Sequence, residues 1–453
     1  MKNSVAAIVL AAGKGSRMKS KKSKVLHTIL GKPMLEYIYD VLDQSNAEKI
    51  VTVVGHQKEQ IIDKFQNRSQ FVTQDEQLGT GHAVMQGEEK FKNYSGHVLI
   101  LCGDTPLLTS GTINSLIKHH IEGGYQGTIL TALQQDPTGY GRVIRGADKN
   151  VISVVEQKDA TEEQKNIKEV NTGIFIFQSK ILFELLHKIQ NNNAQGEYYL
   201  PDVLKVMLEN SLEVGAMQMK DSTEMIGIND RVMLHDAQKA MQKAINLAWM
   251  KKGVTIIDPD STYIDPTCQI SQDVTIHPMT FIKGNTVIEE GAELGPNTTV
   301  VDSEIGENTS VVQSSVQSSK LKSGIQIGPY THIRPNCEVA DSVKLGNFVE
   351  VKNAKIGTQS KAAHLTYLGD CTIEENVNIG CGTITANYDG KQKHHTLIKK
   401  GAFIGSNSNL IAPITVGEQG FVAAGSTVTK DVPSDSLVIA RGKEVVRKNW
   451  IKK

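Results

Sequence analysis

Residues 264–300 read IDPTCQISQDVTIHPMTFIKGNTVIEEGAELGPNTTV, with an aliphatic side chain at every sixth position: Ile264, Ile270, Ile276, Ile282, Ile288, Leu294 and Val300. If aliphatics fill roughly a quarter of positions, seven in phase arise by chance on the order of 10⁻⁴. The period resumes at Ile327, Ile333, Val339, Leu345 and Val351, and again at Ile404, Leu410, Val416, Val422 and Val428, often with Gly, Ala or Asp next. Short strands that each turn one aliphatic inward, broken by Gly, Asn and Pro, describe a parallel β-helix of hexapeptide repeats. Three hexapeptides per coil would stack the coils about 4.8 Å apart. Two stretches break the register, AKIGTQSKAAHLTYLGD at 354–370 and TANYDGKQKHHTLIKKG at 385–401. Both are expected to bulge outward and form binding surface.

Upstream the text changes. Up to about residue 230, strand-like runs (AAIVLAAG, IVTVVGH, HVLILCGD, TGIFIF) alternate with amphipathic stretches at 33–45, 110–122 and 180–190. That alternation predicts an α/β domain with a mostly parallel sheet. Residues 231–250 carry Met233, Ala237, Ala240, Met241, Ala244, Leu247 and Ala248 at three- and four-residue spacing, which predicts one amphipathic connecting helix. The expected organisation is an α/β domain over 1–230, a linker helix over 231–251 and a β-helix over 252–453.

A chain of 453 residues suits two or three domains. Lys plus Arg (49) equals Asp plus Glu (49), so no global charge draws it onto nucleic acid or an acidic membrane, and any anion site is local. Five cysteines form no Cys-x-x-Cys pair; an odd number in a chain this long reads as reduced thiols in the cytoplasm. The apolar start, Val5 to Ala12, is followed at once by Lys14, Arg17, Lys19, Lys21, Lys22 and Lys24, which suits an export signal poorly.

Gly13 and Gly15 follow the strand-like run Val5–Leu10, a strand-to-helix turn in which backbone N–H groups can approach an anion. Position 18 is Met, so Gly-x-Gly-x-x-Gly fails, and no P-loop pattern is present. Lys14, Arg17 and Lys24 around one turn suit a polyphosphate. In HVLILCGDTPLL an apolar run ends at Gly103-Asp104, where a carboxylate at a strand's C-terminal end meets the ligand crevice of such sheets. A hard cation such as Mg²⁺ would suit Asp104; a capping Asp in an Asp-Thr-Pro turn is the plainer alternative.

LAAGKGSRM followed by KVL, then QLGTGHA, GDTPLL, GYGRVI, EQKDA, NTGIF and IND, resemble the sugar nucleotidyltransferase family. The repeat region, with HLTYLGD and TANYDG, is similar to the hexapeptide acyltransferases. In order and over nearly its whole length, the chain resembles the bifunctional family of N-acetylglucosamine-1-phosphate uridyltransferase/glucosamine-1-phosphate acetyltransferases. That resemblance implies a Rossmann-like nucleotidyltransferase domain, a linker helix and a left-handed parallel β-helix, in a cytoplasmic homotrimer that acts on small molecules and binds neither nucleic acid nor membrane.

The same resemblance implies residue roles. Leu10, Ala11, Ala12, Gly13 and Gln74 would hold uracil of UTP, Gly79 and Thr80 would complete the nucleotide pocket, and Lys24 would face phosphates. Gly141, Glu156 and Asn171 match sugar-contacting positions, Asp104 and Asn229 match Mg²⁺ ligands, and Arg17 would neutralise the leaving pyrophosphate. In the β-helix, His364 matches the catalytic base and Glu350 the carboxylate that would orient it. Arg334, Lys352, Tyr367 and Asn378 match the glucosamine-1-phosphate site, and Asn387, Tyr388, Ser406, Ala424 and Arg441 match acetyl-CoA positions. His394 and His395 match no role and read as solvated loop residues. Cys102 stands where family members often carry an aromatic residue. Two rivals remain at this stage: a monofunctional nucleotidyltransferase whose β-helix only oligomerises, and a nucleotide-sugar sensor without turnover.

Overall fold

The computed structural model describes residues 3–147, 150–448 and 450–451. The chain divides into two compact units at Lys239/Ala240, within a helix that runs Arg231–Lys251.

In the first unit a sheet runs in the order Val214–Gln218, Gly127–Leu133, Glu169–Gln178, His97–Cys102, Val5–Ala11, Ile50–Val54, Gln70–Thr73. Only Glu169–Gln178 runs antiparallel to its neighbours on this path. Alternation along Val5–Ala11 explains why both faces are covered. Ala7 and Val9 pack under Leu35, Ile38 and Leu42, while Ala6 and Ile8 face Val84, Phe91 and Leu186, all fully buried or nearly so. Val5–Ala11 and His97–Cys102 are parallel neighbours with Leu10 opposite Cys102, so their C-terminal ends deliver Ala12-Gly13 and Gly103-Asp104 to one crevice.

The second unit is a left-handed parallel β-helix whose short strands pair from coil to coil, Phe281 with Thr299 and Ile282 with Val300, for example. The sixfold aliphatics form one continuous buried ladder, each contributing about 1.5–3 kcal/mol of burial. The gap in the sequence period between Val300 and Ile327 is not a gap in the fold. Ile305, Val311, Val316 and Leu321 continue the ladder, some of them at five-residue steps, and coils shorten accordingly: Thr299 pairs with Ser315 rather than with a residue eighteen positions on. Dropping one turn residue leaves the inward position unchanged.

The same device corrects the first expected bulge. Residues 354–370 do not leave the coil: Lys361–Ile373 pairs in parallel along its length with Lys344–Ile356, and Ala362, Leu368 and Ile373 point inward after steps of five and six. The second stretch does leave it. Cys371 pairs with Thr396, twenty-five positions on, and residues between Asn387 and His395 form a small hairpin with Tyr388 opposite Lys393.

The apolar stripe expected on the connecting helix is not its buried side in the second unit, where Ala244, Leu247 and Ala248 are exposed. Gln242 and Asn246 are buried instead, donating to the carbonyls of Thr262 at 2.7 and 3.0 Å and of Pro259 at 3.1 and 2.8 Å. Those carbonyls have no coil above to pair with, and amide side chains satisfy them where methyl groups cannot.

Candidate functional site

The first-unit crevice encloses about 250 Å³ and is lined by Leu10, Ala11, Ala12, Gly13, Lys24, Gln74, Gly79, Thr80 and Asp104, with Cys102 and Glu197. Nine expected residues, scattered from position 10 to 104, therefore share one wall. The strand ends place Leu10–Gly13 and Asp104. Gly15 places Lys24: at φ 59° it lets the loop double back so closely that a Cβ would stand 2.8 Å from Lys24 Cβ. Gly13 has open space where a side chain would be, leaving its backbone accessible.

Lys24 Nζ is ion-paired with Asp104 Oδ2 and lies 3.2 Å from Asn229 Oδ1. Two oxygens separated by more than a hundred residues of chain thus converge on one cation-sized position, and oxygen donors of this kind suit a hard divalent ion that keeps waters and substrate phosphates as its other ligands. Among the described residues no group of three or more His, Cys, Asp or Glu could hold a metal alone. Arg17 stands exposed on the short turn Ser16–Met18, above the loop rather than in the crevice wall. Burial, with Asp104 beside it, pushes the Cys102 thiol up to about 12, so it enters as an apolar wall atom.

Gly141, Glu156 and Asn171 form a neighbouring cluster. A Cβ on Gly141 would be 2.9 Å from Glu156 Oε1, and Asn171 N donates to Gly141 O at 2.8 Å. Glu156 is held above the usual carboxylate range by burial, then by the Asp159 and Asp202 charges. Sequence reading missed Arg142, almost wholly buried, whose guanidinium donates to Tyr140 O and, at 2.7 Å, to Gln157 Oε1. It ties the Tyr140 carbonyl, just before Gly141, to the side chain of Gln157, just after Glu156.

On the β-helix, coil register gathers the second set. His332 pairs with Glu350 and Glu350 with Tyr367, so Arg334, Lys352 and Tyr367 stack on one face. Asn378 lies on the adjoining face beside Lys361. His364 is exposed at the corner between them, next to Leu365 at φ 41°, a left-handed corner repeated at Phe348 (58°) and Tyr330 (59°). Its Nδ1 is 2.7 Å from Asn347 Oδ1. Glu350 does not reach it in this chain; its carboxylate accepts from Arg334 Nη1 at 2.9 Å. The reason is register: Asn347 is opposite His364 across the pair, and Glu350 is opposite Tyr367.

A further cation completes the patch. Lys393, carried by the hairpin, lies against Lys352, whose pKa is lowered first by that neighbour; Asp370 and Arg334 also face the pair. Arg334, Lys352 and Lys393, with the Glu350 and Asp370 carboxylates among them, form a basic cluster suited to an anion. No spacing rule reveals Lys393, because only the hairpin's return brings it over. Asn387 is buried and donates to Asp370. Tyr388 is exposed. Ser406 and Ala424 are exposed on successive coils, with Phe403 and Ile404 paired to Phe421 and Val422, and Arg441 Nη1 donates to Ala424 O at 2.8 Å. His394 is not merely solvated: half-buried, it bonds Asp389 Oδ2 at 2.7 Å and pins the hairpin, while His395 bonds Thr372 Oγ1 at 3.0 Å.

Sheet, crevice and coil together define a nucleotidyltransferase fused to a hexapeptide β-helix, and the family model described as nucleotidyl transferase matches residues 6–253. Relatives extend the match to both units. "Bifunctional protein GlmU" of Shouchella clausii is 48% identical over 447 residues, 99% of this chain and 98% of that protein. The protein of the same name from Listeria monocytogenes serovar 1/2a is 48% identical over 438 residues, 97% and 96% of the two chains. The chain belongs to the GlmU family of bifunctional proteins. No helix among the described residues is long and apolar enough to cross a membrane.

Proposed function

We propose that the protein makes UDP-N-acetylglucosamine in two steps, acetylating glucosamine-1-phosphate with acetyl-CoA on the β-helix (252–453) and transferring UMP from UTP to the product in the α/β unit (1–230), with 231–251 as linker helix. The observation that carries this reading is the pair of separate, chemically distinct sites, an oxygen-rich polyphosphate crevice and an exposed histidine beside three cations, in a chain of the bifunctional family. A purely oligomerising coil has no use for the second.

In uridyl transfer the sugar phosphate is already an anion, so no base has to activate it, and in-line displacement needs positioning and charge neutralisation. Leu10–Gly13 and Gln74 hold the base of UTP. Gly79 and Thr80 close the nucleotide pocket, and Gly141, Glu156 and Asn171 hold the sugar. Asp104 and Asn229 hold Mg²⁺, which when bound neutralises phosphate charge. Lys24, released from Asp104, moves to the phosphates, and Arg17 swings in from its exposed turn toward the leaving pyrophosphate.

In acetylation the substrate amine arrives as an ammonium and must lose a proton. Asn347 Oδ1 accepts from His364 Nδ1–H, which leaves Nε2 bare to take that proton. The amine nitrogen then bonds the acetyl carbon, the carbon–sulfur bond breaks, and the nitrogen's second proton passes to the departing sulfur, so that CoA leaves as the thiol. Arg334, Lys352 and Lys393 hold the sugar phosphate with Tyr367. Asn378, on the adjoining face, serves a site that a second copy walls. Asn387, Tyr388, Ser406, Ala424 and Arg441 hold acetyl-CoA. Asn347 takes the orienting role at His364, and Glu350, paired with Arg334 Nη1, positions that guanidinium for the sugar phosphate.

A flat coil face walls a ligand on one side only. Tyr330, Phe348 and Leu365, each more than half exposed, form an apolar edge beside His364 that supports assembly into a homotrimer. The reading places the enzyme in the cytoplasm, where its phosphorylated substrates are.

The test supplies glucosamine-1-phosphate, acetyl-CoA, UTP and Mg²⁺ to the purified chain and omits each in turn. UDP-N-acetylglucosamine should vanish with every omission. Its persistence without acetyl-CoA would overturn the reaction order.

A further inference from the structure

Gln74 and His82 make a contact that uridyl transfer, as described, leaves without a role. Gln74 is 4% exposed at the crevice wall, and its amide nitrogen stands 3.1 Å from Gly79 O and 3.1 Å from His82 Nδ1. A carbonyl oxygen only accepts, so the group facing Gly79 is the NH₂, and its second hydrogen meets the histidine ring. Nδ1 must then be bare, with the ring proton on Nε2. Gln86 competes for the opposite tautomer: its amide nitrogen donates to His82 O at 3.1 Å and lies 3.1 Å from Nε2. A neutral imidazole cannot accept at both nitrogens. Gln86 is partly exposed and can exchange its bond for water, whereas the buried Gln74 cannot, so the tautomer follows Gln74.

With both amide hydrogens engaged, Oε1 is the polar atom of this side chain left to the crevice, and no partner for it is found among the described residues. It is not among the sealed, unbonded side-chain atoms either. We propose that His82 is a positioning residue that locks Gln74 as an acceptor, and so makes the crevice select uracil over cytosine. Uracil presents an N3–H to such an acceptor; cytosine presents a bare N3 lone pair, which Oε1 repels. A freely turning amide would serve either base by rotating half a turn. His82 and Gly79 together forbid that rotation, and without His82 only the Gly79 carbonyl opposes it.

This inference rests on the nucleotide reading of the crevice, and its test separates the two. Rates with UTP and with CTP are measured on the full chain with N-acetylglucosamine-1-phosphate and Mg²⁺, for the unaltered protein, His82→Leu, His82→Asn and Gln86→Ala. His82→Leu should lower the UTP-to-CTP ratio of kcat/KM by at least about tenfold, chiefly through KM. His82→Asn, whose Oδ1 stands where Nδ1 stood, should restore it, and Gln86→Ala should leave it unchanged. An unchanged ratio in His82→Leu, or an equal loss in Gln86→Ala, would overturn the proposal. Should His82→Leu fail to fold, ¹⁵N shifts of the His82 ring in the unaltered protein decide: a proton on Nε2 supports the lock and a proton on Nδ1 refutes it. No turnover of UTP by the unaltered protein would instead sink the functional reading itself.

Discussion

Gly79→Ala should damage one activity and spare the other. Gly79 sits at φ 106° and ψ 175°, a region occupied essentially by glycine alone, where another residue costs about 1–3 kcal/mol. Its new Cβ would lie 2.6 Å from Tyr198 O, 2.9 Å from Tyr198 N and 2.9 Å from Glu197 Cβ. Two of these atoms are main chain and cannot swing aside, and overpacking of that kind adds about 1–3 kcal/mol. The neighbouring bonds resist retreat as well, since Tyr198 N donates to Leu78 O and Gly81 N to Tyr198 O, each at 2.8 Å. The total, about 2–6 kcal/mol, is a large share of an ordinary domain's stability. Relief requires residues 78–80 to shift, which takes the Gly79 carbonyl off Gln74 and opens the nucleotide pocket. The assay follows half-inactivation temperature and KM for each substrate in both reactions. Uridyl transfer should inactivate about 5–20 °C lower, with a raised KM for UTP, and acetyl transfer should keep its KM for acetyl-CoA. An alanine variant with unaltered UTP affinity and heat resistance would refute the steric reasoning.

Two other outcomes follow from the geometry. Asn347→Ala removes the acceptor of His364 Nδ1–H and should lower kcat for acetylation by about tenfold to a hundredfold with little change in KM; activity matching the unaltered protein would return the orienting role to Glu350. His120 is fully buried between His97 (2.9 Å) and Thr128 (2.8 Å), and burial, then the His97 and His119 neighbours, pushes its pKa from 6.5 down to about 3. Below pH 6.5 the unfolded chain binds a proton that the folded chain refuses. This group's contribution to stability is therefore complete above 6.5 and declines by up to about 1.4 kcal/mol per pH unit toward 3. Amide exchange of the helix Ser110–Glu122, corrected for its intrinsic pH dependence, should speed up between pH 6 and 4; the same slope in His120→Gln would exclude His120 as its source.

The coil was legible because its buried position recurs at a fixed step, and the α/β unit because Val5–Ala11 and His97–Cys102 are apolar enough to be covered on both faces. Five-residue steps at Ile305, Val316 and Leu321 hid part of the ladder, since removing a turn residue shifts the phase without moving the inward side chain. The crevice wall was legible through the family motifs, whose order in the chain carries spatial information that composition lacks. Contacts set by long-range return were not. Lys393 reaches Lys352 only through the hairpin, and Asn347 displaces Glu350 at His364 only through coil register. In the second unit's part of the connecting helix, hydrophobic periodicity missed the buried Gln242 and Asn246, which answer unpaired carbonyls.

The central claim is that two chemistries reside in two separate sites of one chain. It is tested most directly by assaying both reactions in Asp104→Asn and in His364→Ala. Asp104→Asn should abolish uridyl transfer, at a cost of about 3–4 kcal/mol in transition-state stabilisation, while acetylation continues, and His364→Ala should do the reverse. Uridyl transfer retained in Asp104→Asn, or acetylation retained in His364→Ala, would contradict the account.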